Sequence, residues 1–336
     1  MRAIVIRRKL ELVEAELATP EPAAGQVRLR MAYGGICGSD LHYYHDGAIG
    51  SYVVREPLVP GHELSGTVDL DPSGELSPGT PVTIHPATFG TPEPGVEDRP
   101  NLWPNGAYLG SASTWPHTQG GLSEFVVVGK HMVRILPATL PLRRAALAEP
   151  LAVALHALNI AGGAEGKRVL VSGSDPIGLL TAAAALSAGA AEVVSTDVVP
   201  GPLRRARDLG VHGTVQVGTD EIPSAYFDVV LECTAVPAAI SAAVDAARRA
   251  GIVVLVGIPA DEPRGVNLAP LVSRELQLRG TLRFSDEIDQ AIRLLDASPH
   301  LEQVITHEYP AADAVEAFAT AADSDTSGKV LLSLWR

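Results

Sequence analysis

A short turn in the middle of the chain has the residue types that could hold a phosphate. The segment VLVSGSDPIGLL, residues 169–180, predicts a strand, a tight turn and the start of a helix. Gly173 and Gly178 occupy the first and third positions of the G-x-G-x-x-G pattern that wraps a dinucleotide pyrophosphate. The next predicted strand ends at Asp197, 24 residues after Gly173. A carboxylate there can accept hydrogen bonds from the adenosine ribose and repel a 2′-phosphate, so the pattern favours NAD over NADP.

Asp175 stands where the pattern has its middle glycine. That glycine lets the backbone approach the pyrophosphate, whereas a carboxylate fills the space with charge of the same sign. Two unit charges about 4 Å apart, at an effective dielectric constant near 20, repel by about 4 kcal/mol, or roughly a thousandfold in affinity. Alternatively, Asp175 and Pro176 are the N-cap and first residue of the helix, and the carboxylate caps the helix end itself. The sequence leaves both unimpaired and weakened NAD binding open.

Two segments near the start carry residue types that bind zinc in proteins. Cys37 lies in GGICGSDLHYYHDGAIG, residues 34–50, and His62 lies in PGHELSG, residues 60–66. A thiolate and an imidazole bind zinc strongly and leave a position open for water or substrate. Taken singly, however, a cysteine is more often a small buried apolar residue, and a histidine is more often structural. Cys233, at the end of the strand pattern VVLECTA, is interpreted as a core residue.

The elements that must position these residues change in pattern near Glu149. Residues 1–135 consist of short β-branched runs between Gly/Pro turns, which predict a β-rich domain that opens with a strand meander. Strand and helix patterns then alternate, including a helix over 237–250 and a strand over 276–284, which predicts a parallel sheet with crossover helices. Two amphipathic helices and the final strand GKVLLSLW are expected to return to the first domain. The Pro/Gly-rich segment 90–110 predicts an irregular surface loop.

Composition excludes several functional classes. The chain has 336 residues, enough for two domains, and 46% are hydrophobic and 19% charged, which is typical of a globular protein. A net charge of −13 argues against nucleic acid or an anionic membrane as a partner. The first residues predict strands rather than a signal peptide, and two cysteines are too few for a disulfide scaffold. The longest apolar stretch is an alanine-rich run typical of a buried helix, so a cytoplasmic location is expected.

Three motifs in order resemble the zinc-dependent medium-chain dehydrogenases: the segments around Cys37 and His62, and AEPLAVALHAL at residues 148–158. The resemblance covers nearly the whole chain and is closest to the polyol branch of sorbitol and L-idonate 5-dehydrogenases. It implies an α/β chain of two domains. A GroES-like β-rich catalytic domain would comprise residues 1–149 with 285–336, and a Rossmann doubly wound parallel-sheet domain that binds NAD would comprise residues 150–284. Members of this family form homodimers or homotetramers.

The resemblance also implies a metal site. Cys37 and His62 match ligands of one catalytic zinc per subunit, Glu63 a ligand or close neighbour, and Glu149 a residue that contacts the metal directly or through its water. Asp40 matches the residue that holds the ligand histidine in place, and a simple turn residue is the alternative. Two further positions match the proton relay: Ser39 the hydroxyl that bonds the bound alcohol, and His42 the outer end of the relay. His45 and Tyr44 match no role and are expected in a loop.

Substrate and cofactor positions follow in the same way. Tyr43, Glu149 and Arg283 match substrate-contacting positions of the polyol branch. The positions expected to contact NAD, including the glycine turn, are Gly173, Asp175, Ile177, Gly178, Asp197, Val256, Gly257, Ile258, Thr281, Leu282 and Arg283.

Three departures from the family pattern accompany the resemblance. Most members hold a structural zinc with four cysteines in a lobe that corresponds to residues 90–110. That segment has no cysteine, and with two cysteines in the chain a Cys₄ site within it is impossible, so no structural zinc is expected. Asp175 is the second departure. Pro202, where sorbitol dehydrogenases place an arginine near the adenosine, is a smaller one.

The implied reaction is the reversible oxidation of a secondary alcohol of a polyol or sugar acid to the ketone, an activity of the EC 1.1.1 type. Zinc polarises the substrate oxygen, the hydride goes to the nicotinamide, and the proton leaves through Ser39, the nicotinamide ribose and His42. Arg283 could pair with the carboxylate of an aldonate such as idonate, or equally bond hydroxyls. A zinc-free quinone or enone reductase is one alternative, although such enzymes lack the cysteine and the His–Glu pair. The other is a degenerate binding or scaffold protein, motivated by Asp175 and the missing lobe cysteines.

Overall fold

The computed structural model describes residues 1–259 and 261–335. Its first part is built of antiparallel strands. They are β1 Arg2–Arg8, β2 Glu11–Glu16, β3 Gln26–Gly35, β4 Ala48–Ile49, β5 Tyr52–Val53, β6 Glu63–Leu70, β7 Pro81–Ile84, β8 Ala87–Thr88, β9 Ala107–Tyr108, β10 Phe125–Gly129 and β11 Val133–Ile135. Helix α1 spans Gly38–His45, α2 spans Leu142–Ala145 and α3 spans Ala148–Ile160. The strand β1 pairs with β2 in the predicted opening meander.

The second part alternates strands and helices around a parallel sheet. Its elements are β12 Arg168–Ser172, α4 Pro176–Ser187, β13 Glu192–Asp197, α5 Pro200–Asp208, β14 Gly213–Gln216, β15 Phe227–Glu232, α6 Pro237–Ala246, β16 Ala247–Leu255, α7 Ala269–Ser273 and β17 Gln277–Gly280. The strand order is β14-β13-β12-β15-β16-β17, and every pairing is parallel. The central strand is fully buried at Val169, Leu170 and Val171, as expected when helices cover both faces of a sheet. The predicted α/β class with a doubly wound parallel sheet is confirmed.

The end of the chain returns to the first sheet. It forms α8 Glu287–Ala297, β18 Ile305–Pro310, α9 Ala314–Ala321 and β19 Lys329–Ser333. The first sheet has the order β11-β7-β6-β3-β19-β18, with β10 also paired to β3. Leu331 of β19 lies opposite Gly35 of β3, which places Lys329 beside the segment that carries Cys37. Within the described residues, no helix combines the length and apolarity needed to cross a bilayer.

The predicted helix over 237–250 is too long. Helix α6 ends at Ala246, and β16 begins at Ala247, which pairs in register with Phe227. Phe227 is fully buried, so pairing beside it outweighs the helix propensity of the alanines.

The predicted strand over 276–284 is also too long. Strand β17 ends at Gly280, which lies opposite the last residue of β16, Leu255, so no neighbour remains to extend the ladder. Arg283 then adopts a left-handed backbone angle, φ 51°, and Phe284 is buried against the ring of His85 with centroids 4.7 Å apart. The segment leaves the parallel sheet and packs on the first part of the chain.

Segment 90–110 is largely irregular, as predicted, but it is anchored. Asn101 Nδ2 donates a hydrogen bond to the carbonyl of Leu282 at 2.9 Å, and Trp103 Nε1 donates to the carbonyl of Val96 at 2.9 Å. Near its end Ala107 and Tyr108 form β9, and Tyr108 is buried. The segment is therefore a surface loop over most of its length and an interior element at its end.

Candidate active site

A cysteine, a histidine and a glutamate meet where β3 and β6 pair. Glu63 begins β6 and lies opposite Gly35, the last residue of β3, so the residues just beyond each strand become neighbours. One ligand atom from each of Cys37, His62 and Glu63 lies within 4.8 Å of the others. Cys37 is the N-cap of α1, and His62 and Glu63 are buried. The structure thus brings together three of the four predicted metal ligands through strand pairing.

Asp40 ties the two ligand-bearing segments together. Its carboxylate accepts the backbone N–H of Cys37 at 3.0 Å and the backbone N–H of Gly61 at 3.1 Å, and the residue is fully buried. It therefore bonds to the backbone beside His62, and the ring atom His62 Nδ1 has no hydrogen-bond partner among the described residues. Burial raises the pKa of Asp40, although the neighbouring imidazole and the two N–H groups oppose this. Asp40 lies in helix α1 rather than in a turn. Tyr44 and His45 also lie in this helix, so the prediction that they are loop residues is wrong.

Glu149 reaches the same region from the first turn of α3 and is buried. Tyr108 donates a hydrogen bond to its Oε1 at 2.5 Å, and the edge of the Tyr108 ring meets the His62 ring with centroids 5.4 Å apart. The guanidinium carbon of Arg283 lies over the Tyr108 ring, 4.0 Å from its centroid. Burial and the adjacent carboxylate raise the pKa of the Tyr108 hydroxyl, which keeps it a donor. Tyr108 thus links Glu149 to Arg283, which follows the parallel sheet.

Sequence reasoning missed Tyr108 because it lies in a segment interpreted as surface loop. It also missed Lys329. The Nζ atom of this lysine donates to Glu63 Oε1 at 2.6 Å and to the Ile36 carbonyl at 3.1 Å, and both side chains of the ion pair are almost completely buried. A lysine at the start of the largely apolar strand KVLLS, in a chain with four lysines, was the available signal, since buried charges need a partner.

The electrostatics of the cluster suit a divalent cation. Burial disfavours a charge on His62, yet Cys37, Glu149 and Asp40 together raise the pKa of His62 to about 10. The acidic groups that converge on His62 therefore favour positive charge at this point of the structure. The buried atoms His62 Nδ1 and Glu63 Oε2 have no hydrogen-bond partner among the described residues. A thiolate, an imidazole and carboxylates are the donors that zinc takes in proteins, so the residues present fit that ion.

The predicted nucleotide residues gather at the carboxyl edge of the parallel sheet. Gly173 follows β12 with φ +90°, and a side chain there would contact Thr234. A Cβ on Gly178 would lie 2.0 Å from the carbonyl oxygen of Gly173, so helix and strand can pack only around a glycine. A Cβ on Gly257 would lie 2.6 Å from Ala235 N. Val256 and Gly257 directly follow β16, and the next residue, Ile258, is 73% exposed. Ile177 lies in the first turn of α4. Thr281, Leu282 and Arg283 follow β17.

Asp197 ends β13 and binds the turn itself. Its carboxylate accepts the backbone N–H groups of Ser174 at 2.9 Å and Val199 at 3.1 Å. These bonds hold the carboxylate at the strand end, where an adenosine ribose would lie. The glycines and Asp197 therefore fit a dinucleotide. Asp175, the N-cap of α4, has its carboxylate at the helix end where the glycine pattern would place a pyrophosphate.

The remaining predicted residues lie on α1. Ser39 and His42 are three residues apart and share a helix face, and His42 Nδ1 lies 2.9 Å from Asp46 at the surface. Tyr43 is 2% exposed, and its hydroxyl accepts the N–H of Ala112 at 3.0 Å and contacts Ser111. The structure therefore places Tyr43 in a hydrophobic core, with its hydroxyl bonded internally rather than exposed to solvent.

Replacing Tyr108 by phenylalanine is expected to lower the free energy of unfolding by about 1–3 kcal/mol, because the buried carboxylate of Glu149 loses its donor. Urea denaturation measures the change. Tyr52→Phe, at a half-exposed ring, is the matched control and should change stability by less than about 0.5 kcal/mol. An equal effect of the two substitutions would contradict the importance of the Tyr108–Glu149 bond.

Comparison with known proteins extends these observations to the whole chain. The model described as "Alcohol dehydrogenase GroES-like domain" matches residues 23–138, and the model described as "Zinc-binding dehydrogenase" matches residues 176–297. L-idonate 5-dehydrogenase (NAD(P)(+)) of Escherichia coli K12 is 35% identical over 90% of each chain. Sorbitol dehydrogenase of Gallus gallus is 36% identical over 95% of this chain and 92% of its own. The crystal structure of the E. coli L-idonate 5-dehydrogenase superposes with a TM-score of 0.91, covering 99% of this chain and 97% of that one at 31% identity.

Proposed function

The chain belongs to the family of zinc-dependent medium-chain alcohol dehydrogenases, and on this premise we propose that it oxidises a secondary alcohol of a polyol or sugar acid to the ketone with NAD. The observation that carries the proposal is the convergence of Cys37, His62 and Glu63 ligand atoms within 4.8 Å. The relatives described above are dehydrogenases of a polyol and of a sugar acid, which does not favour the alternative of a degenerate scaffold protein.

We assign one catalytic zinc to each subunit, held by Cys37 and His62 with Glu63 and Glu149 as ligand or neighbour. When bound, zinc would act as a Lewis acid on the substrate oxygen, and NAD would accept the hydride. The sequence itself excludes a structural Cys₄ zinc within one chain. Asp197 would accept the ribose hydroxyls and disfavour a 2′-phosphate, so NAD is preferred to NADP.

The chain's own groups handle the proton and orient the substrate. Ser39 would take the alcohol proton, and His42, with a side chain 64% exposed, would release it to solvent. Arg283 borders a cleft of about 590 Å³ that also touches Ser113 and Thr114. A guanidinium held over the Tyr108 ring suits a carboxylate or vicinal hydroxyls of a sugar acid or polyol.

For the assembly we propose a homodimer or homotetramer and the domain division 1–149 with 285–336 and 150–284. Strands β18 and β19 pair within the first sheet, which supports the division, and α3 runs across the boundary at 149–150. Strand β17, with Leu278 37% exposed, forms one edge of the parallel sheet and is the surface we assign to the contact between copies.

A substrate panel tests the proposed function. The zinc-loaded protein is offered sorbitol, xylitol, L-idonate and D-gluconate with NAD or NADP, and formation of the reduced nicotinamide is followed by absorbance. Turnover of at least one panel member with NAD is expected, together with its loss on chelation and its return with added zinc. Retention of zinc without NADH binding or turnover would favour the degenerate alternative.

A further inference from the structure

Asp175 occupies a hydrogen-bond donor at the helix end where a pyrophosphate would bind. As the N-cap of α4, it accepts the backbone N–H of Gly178 through Oδ1 at 2.8 Å, and its carbonyl accepts the N–H of Leu179 at 2.8 Å. Pro176, the first residue of the helix, has no N–H. Within this first turn, the donors that would otherwise face an anion are therefore absent or already bonded, apart from that of Ile177.

The charged groups that face Asp175 do not compensate its negative charge. Asp197 approaches from the end of β13, Glu232 from the end of β15 and the Cys233 thiol from just beyond it. Lys329 on β19 is the facing cation, and it is already bonded to Glu63 and the Ile36 carbonyl. Glu232 accepts the N–H groups of Thr234 and Ala235, so its position is held as well.

The surroundings shift the protonation equilibrium of Asp175 toward the neutral form, compared with a carboxyl in water. Burial raises the pKa of the carboxyl, and the charges of Asp197 and Glu232 add to this, while the Gly178 N–H and Lys329 oppose it. A pyrophosphate at the same helix end would bring further negative charge and raise the pKa again. A group whose pKa is higher in the complex than in the free protein takes up a proton on binding.

We propose that Asp175 couples dinucleotide binding to the uptake of one proton, so that the pyrophosphate binds beside a neutral Asp175. This inference rests on the proposed NAD-linked function and adds a determinant that the family's glycine does not supply. Between the pKa values of the free and bound states, affinity falls tenfold for each unit by which the pH rises. The proton comes from solvent, and no covalent step is involved.

Calorimetric titration of the zinc-loaded full chain with NADH tests the coupling. Titrations at one pH in phosphate and in Tris, whose ionisation enthalpies differ, count the protons taken up, and a series from about pH 6 to pH 8.5 gives the slope of log Kd. The wild type is expected to take up about one proton more than Asp175→Asn. Asparagine keeps a capping oxygen but no charge, so its affinity at the alkaline end should be ten- to a hundredfold higher than that of the wild type.

Two further variants separate the possible causes. Asp175→Gly removes the cap as well as the charge and should share the weak pH dependence of Asp175→Asn. Asp208→Asn removes one exposed carboxylate at the far end of α5 and should behave as the wild type.

Equal slopes and equal proton uptake in the wild type and Asp175→Asn would overturn the coupling while the proposed function stands. Binding by Asp175→Gly alone would also overturn it, because a side chain at this position, charged or not, would then exclude the dinucleotide. No binding by any variant at any pH would overturn the NAD-linked function itself, and the inference with it.

Discussion

Replacing Cys37 by alanine is expected to remove the zinc and to lower kcat/KM by at least about a thousandfold. Cys37 supplies the thiolate of the cluster with His62 and Glu63, and a catalytic site built on three protein ligands does not hold zinc tightly with one of them gone. Loss of the Lewis acid removes several kcal/mol of transition-state stabilisation, which corresponds to about three orders of magnitude in rate. Metal analysis of the purified protein measures the loss of zinc, and kinetics on whichever panel compound the wild type oxidises measure the loss of kcat/KM.

Cys233→Ala is the matched control for the thiol. Cys233 is buried beside the parallel sheet, outside the cluster of candidate metal ligands, and its thiol makes a weak contact with the Leu231 carbonyl. Its replacement should leave the zinc content at one per subunit and cost stability alone. Full zinc content in Cys37→Ala would contradict the assignment of the metal site.

Replacing Lys329 by methionine is expected to lower the free energy of unfolding by about 3–5 kcal/mol. Glu63 is 0% exposed, and Lys329 is its cationic partner at 2.6 Å, so the substitution leaves a buried carboxylate without compensation. Guanidinium denaturation of the metal-free protein measures the loss without a contribution from zinc.

A double variant separates the effect of losing the ion pair from the effect of losing side-chain packing. Lys329→Met combined with Glu63→Leu removes both charges and should recover most of the lost stability, because a buried ion pair replaced by apolar groups is often neutral. Lys9→Met, at an exposed position, should change stability by less than about 0.5 kcal/mol. If the double variant is as unstable as the single one, the cost lies in packing and the account of the ion pair is wrong.

The order of elements and the main motifs could be predicted from the sequence because they depend on residues that are close together along the chain. The turn at Gly173, the helix after it and the strand ending at Asp197 follow from local periodicity and glycine chemistry. The N-cap role of Asp175 was one of the two sequence interpretations, and the Gly178 N–H bond bears it out. The coupling of dinucleotide binding to protonation of that carboxylate stays a prediction.

Long-range contacts could not be predicted in the same way. Tyr108 bonds to Glu149 across 41 positions, and Lys329 bonds to Glu63 across 266. Neither pairing leaves a periodic signal, because each partner is chosen by the packing of segments that are remote in sequence. The early end of α6 at Ala246 has the same origin, since an alanine-rich run favours a helix until a strand beside Phe227 offers it a pairing position.

The sequence by itself determined the two-part α/β architecture, the residues able to bind zinc and the departure at Asp175, because residue type and short-range spacing govern these features. The tertiary structure decided which of those residues meet. The pairing of β3 with β6 joins Cys37 to His62, the return of β19 brings Lys329 to Glu63, and the departure of the chain after β17 sets Arg283 over Tyr108. Burial at these junctions makes each polar group depend on a partner from another segment, and only the folded chain supplies it.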